Sequence, residues 1–142
     1  MLTKTIGCEP EDLRPNAAVL CYPVISGVTA PHEGSFRVLL GEDASRSDLS
    51  RLSLENRVTP KTPPMFIWAT ANDDCVSAHN SLVMAKACVS NKVPVELHLF
   101  DEGPRGLPTC DKATGWNEAF YLENVRRWIP MSIEFLAKYM NV

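Results

Sequence analysis

The run MFIWAT, from Met65 to Thr70, has neither charge nor alternation of polar and apolar residues. Pro63 and Pro64 mark its entry. Such a run suits a β-strand covered on both faces, the condition of strands in parallel sheets packed between helices. Two further runs behave as strands. PNAAVLCYPV is led by Pro15, closed by Pro23 and again lacks alternation. VPVELHLF does alternate, with Val93, Val95, Leu97 and Leu99 pointing one way and Glu96 and His98 the other. That pattern suits a strand near a sheet edge.

Between the first two runs lies a polar region, residues 27–61. Within it APHEGSFRVLLG reads as a short helix ending at Gly41, and SRSDLSRLSLENRV as another, with Ser45 or Ser47 as its cap. TPKTPP then forces an extended connection. SAHNSLVMAKACVSNK predicts a helix with Ser77 as N-cap, Leu82, Met84, Ala85, Cys88 and Val89 toward a core, and Lys92 at its negative end. The last segment, 118–142, is strongly helical, with Val125, Trp128, Ile129, Ile133, Leu136 and Met140 at helical spacing. Pro130, lacking an amide proton, predicts a kink or a fresh helix start.

Strands alternating with helices give an α/β fold, one domain over 1–142 with about three parallel strands and right-handed crossovers. Three parallel strands are few. AAVLC is apolar enough for an inner strand, yet no earlier run pairs with it, so the chain is expected to be part of something larger.

Composition excludes several classes of function. With 142 residues and a net charge of -3, the chain has no basic stripe for nucleic acid or an anionic membrane. No apolar stretch is long enough to span a bilayer, and the N-terminus MLTKTIGCEPEDL turns acidic before any signal-peptide core. The cysteines, Cys8, Cys21, Cys75, Cys88 and Cys110, are odd in number and widely spaced, without C-x-x-C. A reduced, cytoplasmic protein with buried thiols is expected, with no disulfide framework, metal site or cofactor.

Open α/β sheets hold their sites beyond the carboxyl ends of the strands. Three segments occupy that place: YPVISG, TANDDCVSAHNS and DEGPRGLP. In the second, Asp73 and Asp74 stand between a buried strand and a helix, where a carboxylate can accept backbone N–H bonds and stay ionised. Asp73 can equally be a turn cap and nothing more. In the third, Gly103, Pro104, Arg105 and Gly106 form a loop that presents one arginine.

In their order and spacing, IGCEPEDLRPNAAVLCYPVIS, GSFRVLLGE, VTPKTPPMFIWATANDDCVSAHNSLVMAKA and VPVELHLFDEGPRGL resemble the C-terminal part of an α/β-hydrolase. The similarity is to small carboxylesterases of the acetyl-xylan and feruloyl esterase type, related to dienelactone hydrolase and prolyl-oligopeptidase-type hydrolases. It runs from about Ile6 to Leu107 and resumes weakly in RRWIPMSIEFLAKY. The strands would then be the last three of the hydrolase sheet, with 27–61 as an insertion. The resemblance implies that Asp73 stands at the triad-acid position, within a D-x-x-V-P pattern in which Ser77 replaces the proline. It implies that Arg105 stands where a G-P-H-G loop carries the triad histidine. A guanidinium stays protonated and cannot take a proton from a serine, though it can pair with Asp73.

The other candidate bases fit poorly. His98 lies within a strand, His79 is turned outward in the first turn of a helix, and His32 lies in the insertion. No G-x-S-x-G elbow occurs. By the resemblance its serine would precede Met1 by about thirty residues, one βα unit. Cys75 precedes a helix N-terminus, which favours a reactive thiol, but has no base beside it in sequence. The expected function is therefore that of a carboxylesterase relative, inactive alone, which meets a small ester substrate only if a preceding half completes it. The alternative is a binding or assembly role, in which the first strand pairs with a partner chain or a second copy.

Overall fold

A computed structural model of the chain describes residues 13–107, 109–113, 115 and 117–140. Cys8 and the rest of the N-terminal segment lie outside the described residues. The three apolar runs form strands β1 (Ala18–Cys21), β2 (Met65–Thr70) and β3 (Val95–Phe100). They make one parallel sheet in the order β1-β2-β3, with Ala18 opposite Met65 and Met65 opposite Val95. β2 is central and buried at every residue, as a run without alternation demands. β1 and β3 are edges, and their residues are mostly half-buried.

The region between β1 and β2 folds into α1 (Glu33–Leu40), α2 (Arg46–Leu52) and a 3-10 turn (Leu54–Arg57). Gly41 closes α1 at φ 88°, a conformation that favours glycine. Ser45 caps α2 in a reciprocal capping box with Asp48. Helix α3 (His79–Ser90) follows β2. Its N-terminal flank, Ala78, is already helical, and Ser77 Oγ accepts the His79 N–H at 3.3 Å, so the serine caps from one residue further back.

Of the residues expected inward on α3, Met84, Ala85 and Cys88 do face the core, but the buried face is rotated away from Leu82 and Val89. Asn80, Ser81, Met84, Ala85 and Cys88 are buried, while Leu82 and Val89 are 41% and 68% exposed. Asn80 causes the rotation. Its Oδ1 accepts the N–H groups of Ile25 and Ser26, both at 2.9 Å, and its Nδ2 donates to the carbonyls of Ala30 and Ser77. Four bonds to one side chain turn that side of the helix inward.

The C-terminal segment is a 3-10 turn (Glu118–Phe120), α4 (Glu123–Arg126) and α5 (Trp128–Ala137). The break falls at Arg127, which puts Pro130 in the first turn of α5, where a missing N–H costs nothing. The inward stripe runs on across Arg127, whose backbone is helical, through Val125, Trp128, Ser132 and Phe135 at steps of three and four, whereas Ile133 and Met140, expected inward, are exposed.

The sheet is therefore packed on both sides. Ile67, Met65, Ile25, Met84 and Cys88 form the core under α3. Phe66, Trp68, Leu107, Val125 and Phe135 form the core under α5. His98 belongs to the second layer, stacked 5.1 Å from Phe66 and bonded to Glu96 at 2.9 Å. Cys110 is buried in the core cluster on that side of the sheet. Burial, reinforced by Asp111 and opposed by Arg126, pushes this thiol from its ordinary 9.0 up to about 11. The unfolded chain thus gives up this proton first. The stability gained from a neutral thiol is complete below pH 9.0 and is lost as the pH rises through about 11. Burial likewise raises Cys21, Cys88 and Tyr22. Urea midpoints are expected to fall across this window, and Cys110→Ala should make the fall shallower. A midpoint that stays level would contradict the assignment.

Candidate active site

Three loops leave the carboxyl ends of the strands and converge. Tyr22 follows β1, Asp73 follows β2 and Arg105 follows β3. Two hydrogen bonds tie the second loop to the third. Thr70 Oγ1 donates to the Gly103 carbonyl at 2.7 Å, and the Gly103 N–H donates to Asn72 Oδ1 at 2.8 Å. Gly103 has φ 149°, and a Cβ there would stand 2.5 Å from Leu107 Cδ1 and 2.8 Å from Thr70 Cγ2. Only glycine fits so close an approach. Leu107, fully buried, anchors the far side of the loop.

Asp73 has a side chain only 1% exposed. Its Oδ1 accepts the N–H groups of Cys75 and Val76, each at 2.9 Å. This is the turn cap weighed from sequence, and it holds the carboxylate in one orientation. The other oxygen is different. Oδ2 is buried and accepts no hydrogen bond. The nearest cation is Arg105, with Nη1 at 3.6 Å, an ionic contact longer than a hydrogen bond.

Arg105 is held elsewhere. Its Nη1 donates to the Tyr22 carbonyl at 3.0 Å, and its guanidinium carbon lies 5.1 Å from the centre of the Tyr22 ring. Tyr22 is itself fixed edge-on against Trp68 at 5.0 Å. Burial raises the tyrosine hydroxyl above its ordinary 10.0, with Cys21 adding and Arg105 opposing. Sequence reasoning did not single out Tyr22. Its position immediately after the first strand was the available signal.

The structure thus joins Asp73 and Arg105, the two residues marked from sequence, and leaves the histidines out of that contact. His79 Nδ1 faces Ser77 Oγ at 3.0 Å. His98 is packed under α5. His32 caps α1 and places Nε2 3.5 Å from Cys75 Sγ, so the thiol does have an imidazole beside it, from the insertion. Among the described residues no group of three or more His, Cys, Asp or Glu could hold a metal ion. Among them also no helix is long and apolar enough to cross a membrane.

The fold of this chain is also found in solved hydrolases. An acetyl ester-xyloside bifunctional hydrolase from Caldicellulosiruptor lactoaceticus is 38% identical, with TM-score 0.78, covering 88% of this chain and 43% of that one. The chain has the α/β-hydrolase fold and resembles part of the acetyl xylan esterase-like and carboxylesterase members of that fold. A sugar hydrolase from Lactococcus lactis is 30% identical, with TM-score 0.76, over 96% of this chain and 53% of that one. A carboxylesterase from Lactobacillus plantarum is 25% identical, with TM-score 0.77, over 96% and 49%. Among curated proteins, endo-1,4-beta-xylanase B of Butyrivibrio fibrisolvens is 36% identical over 110 residues, which are 76% of this chain and 17% of that protein. The chain therefore spans about half the length of these solved structures and a smaller share of the curated relative. No protein-family model matches it.

Proposed function

We propose that this α/β-hydrolase segment contributes the acid side of a carboxylic-ester hydrolase site and turns over no ester by itself. The observation that carries this reading is Asp73. Its carboxylate is buried and oriented by two backbone N–H groups, and it keeps one oxygen free of hydrogen bonds. That is the form of a group built to orient an imidazole and stabilise its charged state. Arg105 stands in the imidazole's place and is held by Tyr22. A guanidinium there neutralises the acid and performs no proton transfer. The 142 residues contain no G-x-S-x-G nucleophile elbow. The expected result is no turnover of a short-chain aryl acetate above the buffer rate. A measured rate that Asp73→Ala abolishes would overturn the proposal.

A second reading is favoured by the open edge of β1. This strand pairs only with β2 among the described residues, though its sequence suits an inner strand. A groove of about 370 Å³, lined in part by Leu20, Ile25, Leu54, Val58, Met65 and Met84, runs beside it. Unpaired edges of this kind attract a further strand. In this reading the edge accepts a partner chain carrying the rest of a hydrolase, or a second copy, making one continuous sheet across a twofold axis. Light scattering at micromolar concentration separates the cases, since a stable, well-folded monomer argues against self-pairing.

A further inference from the structure

Apart from the Asp73–Arg105 contact, Cys75 is the described cysteine that has an imidazole beside it. Cys75 is exposed, while Cys88 and Cys110 are buried and Cys21 is partly so. The Cys75 backbone is fixed, because its N–H donates to Asp73 Oδ1. Its Sγ lies 3.5 Å from Nε2 of His32, a residue brought from 43 positions away by the α1 segment. The orientation of the ring decides what this contact does. His32 Nδ1 accepts the Ser35 N–H at 3.3 Å and faces Ser35 Oγ at 2.8 Å. With Nδ1 used as an acceptor, the proton of the neutral ring belongs on Nε2, the nitrogen that faces sulfur. An N–H aimed at Sγ stabilises the negative charge that sulfur carries as it attacks an electrophile.

We propose that Cys75 and His32 form a covalent modification site for small, soft carbon electrophiles. With a haloacetamide the sulfur–carbon bond forms as the carbon–halogen bond breaks. The halide leaves with the electron pair of that bond, and the thiol proton passes to solvent. No oxidant is required. The backbone N–H groups of Cys75 and Val76 are already engaged by Asp73, so they are not free to stabilise an oxyanion there. The site therefore reacts stoichiometrically instead of turning over. This proposal does not depend on the ester-hydrolase reading, since it uses neither Arg105 nor the free oxygen of Asp73.

The test is native-state labelling of the full chain with iodoacetamide near neutral pH, with the rate at each cysteine read by peptide mass spectrometry. Cys75 is expected to react at least about tenfold faster than Cys21, Cys88 or Cys110, in keeping with its exposure and its imidazole. His32→Asn keeps a residue that caps α1 well but withdraws the ring. It should lower the Cys75 rate about threefold or more while leaving the Cys21 rate unchanged. His32→Gln must give the same fall, which covers the case of one variant folding poorly. Parental Cys75 rates in both variants, or a parental Cys75 no faster than Cys21, would overturn the proposal.

Discussion

Arg105→His is expected to create esterase activity only when a preceding hydrolase half is supplied. The suitable protein is a chimera in which this chain replaces the corresponding part of the Caldicellulosiruptor hydrolase. With Arg105 in place the chimera should be inert toward an aryl acetate, because a permanently protonated group cannot accept the nucleophile's proton. With histidine, Asp73 Oδ2 gains an N–H to bind, and the imidazole becomes a base of fixed tautomer. Loss of a triad histidine costs on the order of 10⁶ in rate, so even a partial restoration should give a gain of at least about 10³ in kcat/KM. Adding Asp73→Ala to that variant should remove most of the gain. The Tyr22 carbonyl provides a further check. It now accepts from Arg105 and would be released by the change, so a small loss of stability should accompany the gain in activity. A well-folded chimera that stays inert with histidine would place the catalytic base elsewhere and refute the reading of this loop.

Strand β2 was readable because MFIWAT carries its own boundaries in Pro63 and Pro64, and its composition leaves no exposed face. Asp73 and Arg105 were readable because both follow strands in a parallel sheet, where topology alone brings loops together. Their actual contact depends on Thr70 and Asn72 bonding to Gly103, which no periodicity reveals. The inward face of α3 was legible at Met84, Ala85 and Cys88 and misread at Leu82 and Val89 for a related reason. Hydropathy assigns Leu82 and Val89 to the core and Asn80 to water, yet Asn80 is buried by partners more than fifty residues away in sequence. In the C-terminal segment two stripes at helical spacing diverge after Trp128, and the one through Ser132 and Phe135 faces the sheet, which leaves Ile133 and Met140 outward although hydropathy favours them. The His32–Cys75 contact was invisible for the simplest reason, since local sequence does not say where an insertion folds back.

Asn80→Ala is expected to be among the most damaging single substitutions in the chain. Its side chain is wholly buried and makes four hydrogen bonds. Alanine strips the buried N–H groups of Ile25 and Ser26 of their acceptor. Each buried polar group left unpaired costs about 1–3 kcal/mol, so a loss of about 2–4 kcal/mol is expected once local relaxation is allowed for. A small domain has roughly 5–15 kcal/mol in all, so the loss is a large share of it. Asn80→Leu, close in size, separates hydrogen bonding from filling of space. If volume were what mattered, leucine would be tolerated. The bonding account requires it to destabilise about as much as alanine does. Urea unfolding of the three proteins measures both quantities, and an alanine variant within about 0.5 kcal/mol of the parent would refute the account. The consequence reaches the site. Asn80 ties the segment after β1 to the start of α3, and the turn that orients Asp73 leads directly into that helix. Loosening this tie should therefore make the Asp73 carboxylate less fixed. In the Arg105→His chimera, Asn80→Ala should then lower kcat even at temperatures where the protein remains folded.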